Sequence, residues 1–79
     1  MAKLLYVGSH GGEDPTRAGL VFVGANGARE AGHEAVVSLV GDGVLLMKDP
    51  IAAATVPVGW PPVNELMKTA VEKGVGIHV

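Results

Sequence analysis

The stretch PPVNELMKTAVEKGVGIHV, residues 61–79, predicts a helix that runs directly into a strand. Two prolines suit the start of a helix, because the first N–H groups of a helix have no partner within it. The apolar residues that follow recur every three or four positions and line one helical face. Gly74 suits the left-handed turn that ends many helices. The pattern predicts a helix that opens at Pro61–Pro62 and a strand over Val75–Val79.

The predicted last strand alternates between two faces. Val75, Ile77 and Val79 lie on one face, and Gly76 and His78 lie on the other. In open α/β sheets, ligands bind just beyond the carboxyl ends of the strands. The sequence ends where this strand ends, just before that region. We therefore expect few of the residues that carry out the reaction to lie within residues 1–79.

The first part of the chain predicts another strand followed by a helix. The apolar run Lys3–Val7 is short enough to be a buried strand and is ended by Gly8. Asp14 is a good N-cap, and Pro15 suits the first helical position. The segment Thr16–Ala31 then has apolar residues at helical spacing, which favours a helix.

An alternative for the same segment is a β-hairpin. Gly19–Val23 reads as a strand that leads into Asn26–Gly27, a common hairpin turn. Gly24 and Gly27 would also weaken a helix. We favour the helix, because the segment has an N-cap, a stop at Gly32, and a place between two strands that need a crossover.

The middle of the chain completes the predicted fold. His33–Val40 is a nearly continuous apolar strand, Gly41–Gly43 is a turn, and Val44–Lys48 is a short helical turn. Ile51–Gly59 is a packed loop or a short helix. The order β-α-β-α-β predicts an α/β fold with a parallel sheet in a three-layer arrangement, formed as one domain over residues 1–79.

Composition limits the partners of this protein. Hydrophobic residues make up 48% of the chain and charged residues 18%, with a net charge of −2. No cluster of lysine and arginine occurs, so nucleic acid and anionic membranes are poor candidates. A chain this small cannot bury so much apolar surface by itself. We therefore expect a homo-oligomer, or further chain, to cover part of it.

The chain contains no cysteine, which excludes disulfides and thiolate chemistry among these residues. It also has no secretory leader pattern, and no apolar stretch approaches the roughly 18 residues of a membrane span. We expect a cytoplasmic protein.

The candidate ligand-binding residues are those that follow the first two strands: Gly8, Ser9, His10, Gly41, Asp42 and Gly43. The first loop precedes a helix N-terminus, where backbone N–H groups attract anions. It matches neither the phosphate-binding P-loop nor the dinucleotide fingerprint, and glycines that merely allow a tight turn would give the same pattern. A carboxylate such as that of Asp42 often serves its own turn.

No set of nucleophile, base and orienting group is present, so no catalytic residue is predicted. The histidines His10, His33 and His78 match no metal-ligand spacing, and neither a metal nor a cofactor is expected. His10 lies in a loop where it could act as a proton carrier or a ligand, although a lone loop histidine is more often simply solvated. His33 and His78 suit structural roles. Trp60 suits a lid on the core or an interface anchor.

Three stretches together resemble one protein family: KLLYVGSHGGEDPTRA at residues 3–18, SLVGDGVLLMK at residues 38–48, and NELMKTAVEKGVGIHV at residues 64–79. The whole chain resembles the DsrE/DsrF-like family of sulfur-relay proteins. This resemblance implies a longer domain built on a five-stranded sheet, of which the present chain is the N-terminal two-thirds. It also implies a homo-oligomer and a sulfur-relay partner protein.

In that family, the strand that resembles residues 74–79 is followed at once by a cysteine that carries a persulfide. The expected function is therefore persulfide carriage of the sulfurtransferase type, by a cysteine or selenocysteine after Val79. One hypothesis for the end point is a UGA codon that encodes selenocysteine, which any other codon after Val79 would exclude. The alternative function is a non-catalytic module that binds a small ligand or anion, or an oligomeric assembly protein.

Overall fold

The computed structural model describes residues 2–79, so Met1, the first residue of the predicted domain, lies outside the described part. The elements follow the predicted order of strands and helices. Along the chain they are β1 (Lys3–Gly8), α1 (Pro15–Glu30), β2 (Glu34–Leu39), a 3-10 helix (Gly41–Met47), α2 (Asp49–Ala54), α3 (Val63–Glu72) and β3 (Gly76–His78).

Within residues 2–79 the three strands form one parallel sheet in the order β1-β2-β3. Lys3 lies opposite Glu34 at the start of the β1–β2 pair. On the other side of β2, Ser38 lies opposite His78. The predicted parallel α/β fold is confirmed, and all three carboxyl ends point to the same edge of the sheet.

The ambiguous segment is a helix, so the hairpin alternative is wrong. The Asp14 side chain caps α1 by accepting a hydrogen bond from the Arg17 N–H at 3.2 Å, as the sequence predicted. The helix buries one face against β1, β2 and α3. The fully buried residues on that face include Ala18, Phe22 and Ala25.

The last helix and strand are both shorter than predicted. Pro62 has an extended ψ of 149° and is the N-cap, so α3 begins at Val63. Pro61 precedes a proline and is therefore biased away from helical geometry. At the other end, Val75 donates its N–H to the Ala70 carbonyl at 2.9 Å, which closes the helix end at Gly74 (φ +84°) before β3 begins.

The connection between β2 and α3 is more regular than predicted. The 3-10 helix already starts at Gly41, where a turn was predicted, and α2 extends into the segment predicted as a packed loop or a short helix. Thr55 is 2% exposed and donates its hydroxyl to the Ile51 carbonyl at 2.7 Å. Leu46 and Ala52 enter the core, so this connection is packed, as predicted.

The helices of residues 2–79 cover one face of the sheet. Helices α1 and α3 contact each other, and β2 directs Ala35, Val37 and Leu39 toward them. On the opposite face, which we call the open face, Leu5 is 64% and Val7 is 56% exposed. The predicted third layer is not formed among these residues. None of the described helices has the length and apolar character to cross a membrane.

Candidate functional site at the carboxyl edge of the sheet

The two loops chosen from the sequence lie side by side at the carboxyl edge of the sheet. Parallel pairing puts the ends of β1 and β2 together, because Gly8 lies opposite Leu39. The Val40 N–H then donates to the Gly8 carbonyl at 2.9 Å. We call residues 8–13 and 41–43 the rim.

The two loops of the rim touch through their backbones. A Cβ on Gly43 would lie 2.3 Å from the Gly8 carbonyl oxygen, and a Cβ on Gly11 would lie 2.5 Å from the Asp42 carbonyl oxygen. Neither oxygen belongs to a side chain that could turn away. These glycines therefore bring the two loops together, which is a more specific reason than the tight turn considered from sequence.

The six predicted residues differ in what they offer to a ligand. Gly8 and Gly43 are buried. Ser9 and Asp42 are exposed, and His10 is partly exposed. Of the six predicted residues, only these last three present side chains at the surface, and Gly41 presents exposed backbone.

Glu13 is a member of the rim that the sequence prediction missed. His10 Nδ1 lies 2.9 Å from Glu13 Oε2, and the Gly11 N–H donates to Glu13 Oε1. The hydrogen bond from His10, followed by that from Gly11, lowers the pKa of Glu13 below its usual value. The sequence pattern that could have indicated this pair is a histidine and a glutamate three positions apart with two glycines between them. The glycines let the loop fold back on itself.

The carboxylates of the rim make the predicted anion site unfavourable. The carboxylate of Glu13 already accepts the Gly11 N–H, and Asp14 accepts the Arg17 N–H at the start of α1. An anion in this loop would have to displace Glu13 and would lie close to other carboxylates. Among residues 2–79, no three histidine, aspartate or glutamate side chains converge to hold a metal ion.

The other residues singled out from the sequence do not belong to the rim. His33 is at the opposite edge of the sheet, where its Nδ1 accepts the Ala2 N–H at 2.8 Å. His78 is on the open face and, with Lys3 and Leu5, lines a shallow depression of about 480 Å³. Trp60 is 46% exposed and is not among the residues that pack against the core.

The carboxyl end of β3 reaches the same edge as the rim. The Ser38–His78 pair puts the end of β3 next to the end of β2, so Val79 follows at the same edge as Leu39. The region directly after β3 is therefore flanked by the second loop of the rim.

Comparison with known proteins identifies the family of this chain. The model of the DsrE/DsrF-like family matches residues 2–79, which is almost the whole chain. Neither the curated proteins nor the solved structures that were compared with the chain include a match. On the strength of the family match, this chain belongs to the DsrE/DsrF-like family.

Proposed function

We propose that this protein is a persulfide carrier of the sulfur-relay type. Its nucleophile would be a cysteine or selenocysteine directly after Val79, and its partner another protein of the relay. Family membership supports the sulfur-relay role. In this proposal the protein acts in the cytoplasm, where free thiols are kept reduced.

The observation that carries the proposal is the position of the end of β3. It lies at the carboxyl edge of a parallel sheet, beside the rim, where ligands of open α/β sheets bind. A nucleophile at this point would lie at the surface, next to the exposed Gly41 and Asp42. A carrier needs such access, because both its donor and its acceptor are proteins.

The transfer step is an exchange of sulfur between thiols. The carrier thiolate attacks the terminal sulfur of the donor persulfide, a new S–S bond forms, and the donor leaves as a thiolate. The thiol that attacks gives up a proton, and the thiolate that leaves can take one up. The numbers of S–S bonds and of electrons are unchanged, so the step needs no oxidant or reductant.

The test uses the protein isolated from its native source. Incubation with a protein persulfide donor should add one sulfur atom to its intact mass, and a thiol acceptor should remove that atom again. A sample alkylated beforehand is the control and should gain nothing. A native protein that gains no sulfur, or gains the same amount after alkylation, would contradict the proposal.

A second candidate, homo-oligomeric assembly, is supported by the open face with its exposed Leu5 and Val7. Strand spacing and rise give this face roughly 300 Å². A stable interface needs about 800 Å² from each partner, so this face alone would give a weak dimer. The exposed Val44, Leu45 and Met47 of the 3-10 helix offer further apolar surface. Sedimentation at micromolar concentration tests it, and a monomer would contradict it.

A further inference from the structure

We propose that His10 is a general base at the rim, with Glu13 as the residue that fixes its tautomer and leaves Nε2 free to accept a proton. This inference rests on the proposed sulfur transfer, since the proton accepted is that of a thiol reacting at the rim. Nothing in the family match assigns a role to either residue.

The hydrogen bond to Glu13 determines which nitrogen of His10 carries the proton. Nδ1 lies 2.9 Å from Glu13 Oε2. An ionised carboxylate only accepts hydrogen bonds, so Nδ1 must be the donor. The Gly11 N–H, which binds the other carboxylate oxygen, and the lowered pKa of Glu13 both favour the ionised form. Neutral His10 therefore has a lone pair on Nε2.

His33 provides a comparison within the same chain, because its Nδ1 accepts a hydrogen bond whereas that of His10 donates one. It accepts the Ala2 N–H at 2.8 Å, and a backbone N–H can only donate. Neutral His33 therefore carries its proton on Nε2. One chain thus holds two histidines in opposite tautomers, and the one with a free Nε2 is the one at the carboxyl edge.

In persulfide exchange, the free Nε2 of His10 can accept the proton of the attacking thiol. A thiol attacks as the thiolate, so its proton must go to a base at the site. Imidazole is the usual base because it gains and loses protons near neutral pH. His10 is partly exposed, and the backbone of its loop lies against Asp42 and Gly43 of the second loop. In this proposal the reacting thiol docks over these two loops, where His10 presents its side chain.

Nitrogen NMR of the imidazole rings tests the tautomers directly. At about pH 8.5, where histidine is ordinarily neutral, we expect the proton on Nδ1 in His10 and on Nε2 in His33. Glu13→Ala should move His10 toward the Nε2–H form that histidine prefers in water and leave His33 unchanged. Glu13→Gln, which keeps an acceptor oxygen, should move it less. An Nε2 proton on wild-type His10, or no response to Glu13→Ala, would overturn the inference.

Sulfur transfer by the protein with its natural sequence tests the role of the free nitrogen. His10→Gln should slow transfer about 100-fold near neutral pH, in the range that general bases contribute, whereas His33→Gln is the matched control and should not. Equal thermal midpoints would show that both variants fold. Transfer by His10→Gln within twofold of wild type would overturn the role of His10 alone. Absence of transfer in the wild type would overturn the proposed function, and the role of His10 with it.

Discussion

The two edges of the sheet contain similar residues but use them differently. At the amino edge, where α1 and α3 end, polar groups are used to join elements. Arg29 Nε donates to the Lys73 carbonyl at 2.8 Å, and the Ala2 N–H donates to His33. At the carboxyl edge the loops are joined by backbone contacts, and Ser9 and Asp42 remain exposed.

This difference separates polar side chains that hold the fold together from polar side chains that are available for function. Side chains at the amino edge satisfy the carbonyl groups that helices leave unpaired at their ends. At the carboxyl edge, glycines bring the loops together, so the side chains there are not needed to hold them. The comparison predicts that amino-edge variants lose stability, whereas rim side-chain variants lose activity.

The largest expected loss of stability comes from Gly43→Ala, which disrupts the backbone contact between the two loops of the rim. The new Cβ would lie 2.3 Å from the Gly8 carbonyl oxygen, so one loop must move. We expect a loss of about 1–3 kcal/mol in the free energy of unfolding.

Gly27→Ala is the matched control, because no atom lies within 4 Å of the added Cβ in α1. It should raise the free energy of unfolding by up to about 1 kcal/mol. Urea denaturation of both variants measures the difference. Equal effects of the two substitutions would mean that the rim has no close backbone packing.

At the amino edge, Arg29→Ala should cost about 1–2 kcal/mol, because it leaves the Lys73 and His33 carbonyls without this donor. Arg17→Ala removes an exposed arginine whose Nε is 3.5 Å from Asp14, and should change stability by less than about 0.5 kcal/mol. The urea midpoints of the two variants measure the contrast. A larger effect of Arg17→Ala would contradict the division between the edges.

The smallest expected effect on stability concerns the pH dependence of Glu13. Its pKa in the folded protein is lowered, so its carboxylate stabilises the fold above the usual pKa of 4.5. That contribution is lost as the pH falls through the folded-state pKa. Wild type should exceed Glu13→Gln in stability at neutral pH, and the gap should narrow in acid. Urea midpoints over this pH range measure it, and a gap that widens in acid would contradict the assignment.

The order of elements and the edge that carries the rim could be predicted from the sequence. The apolar periodicity and the residues at the helix ends predicted α1 and α3. Because parallel strands end at the same edge of a sheet, Gly8 and Gly41 were expected to lie close together. The hairpin alternative rested partly on Gly24. In the fold, a Cβ at Gly24 would lie 2.7 Å from the ring of Tyr6, so this glycine allows the strand to approach the helix.

The remaining features depend on contacts that local patterns do not encode. The need for glycine at position 43 arises from a carbonyl 35 positions earlier in the chain, at Gly8. The start of β3 at Gly76 rather than Val75 depends on the hydrogen bond that closes α3. The His10–Glu13 pair depends on how the loop turns, which sequence spacing permits but does not require.

Mapping the reactive thiol or selenol of the native protein tests the central claim most directly. The protein from its native source would be alkylated, digested and analysed by peptide mass spectrometry. The proposed function predicts one label on the residue directly after Val79, at the carboxyl edge beside Gly41. No label, or a label only on a residue remote from that edge, would contradict it.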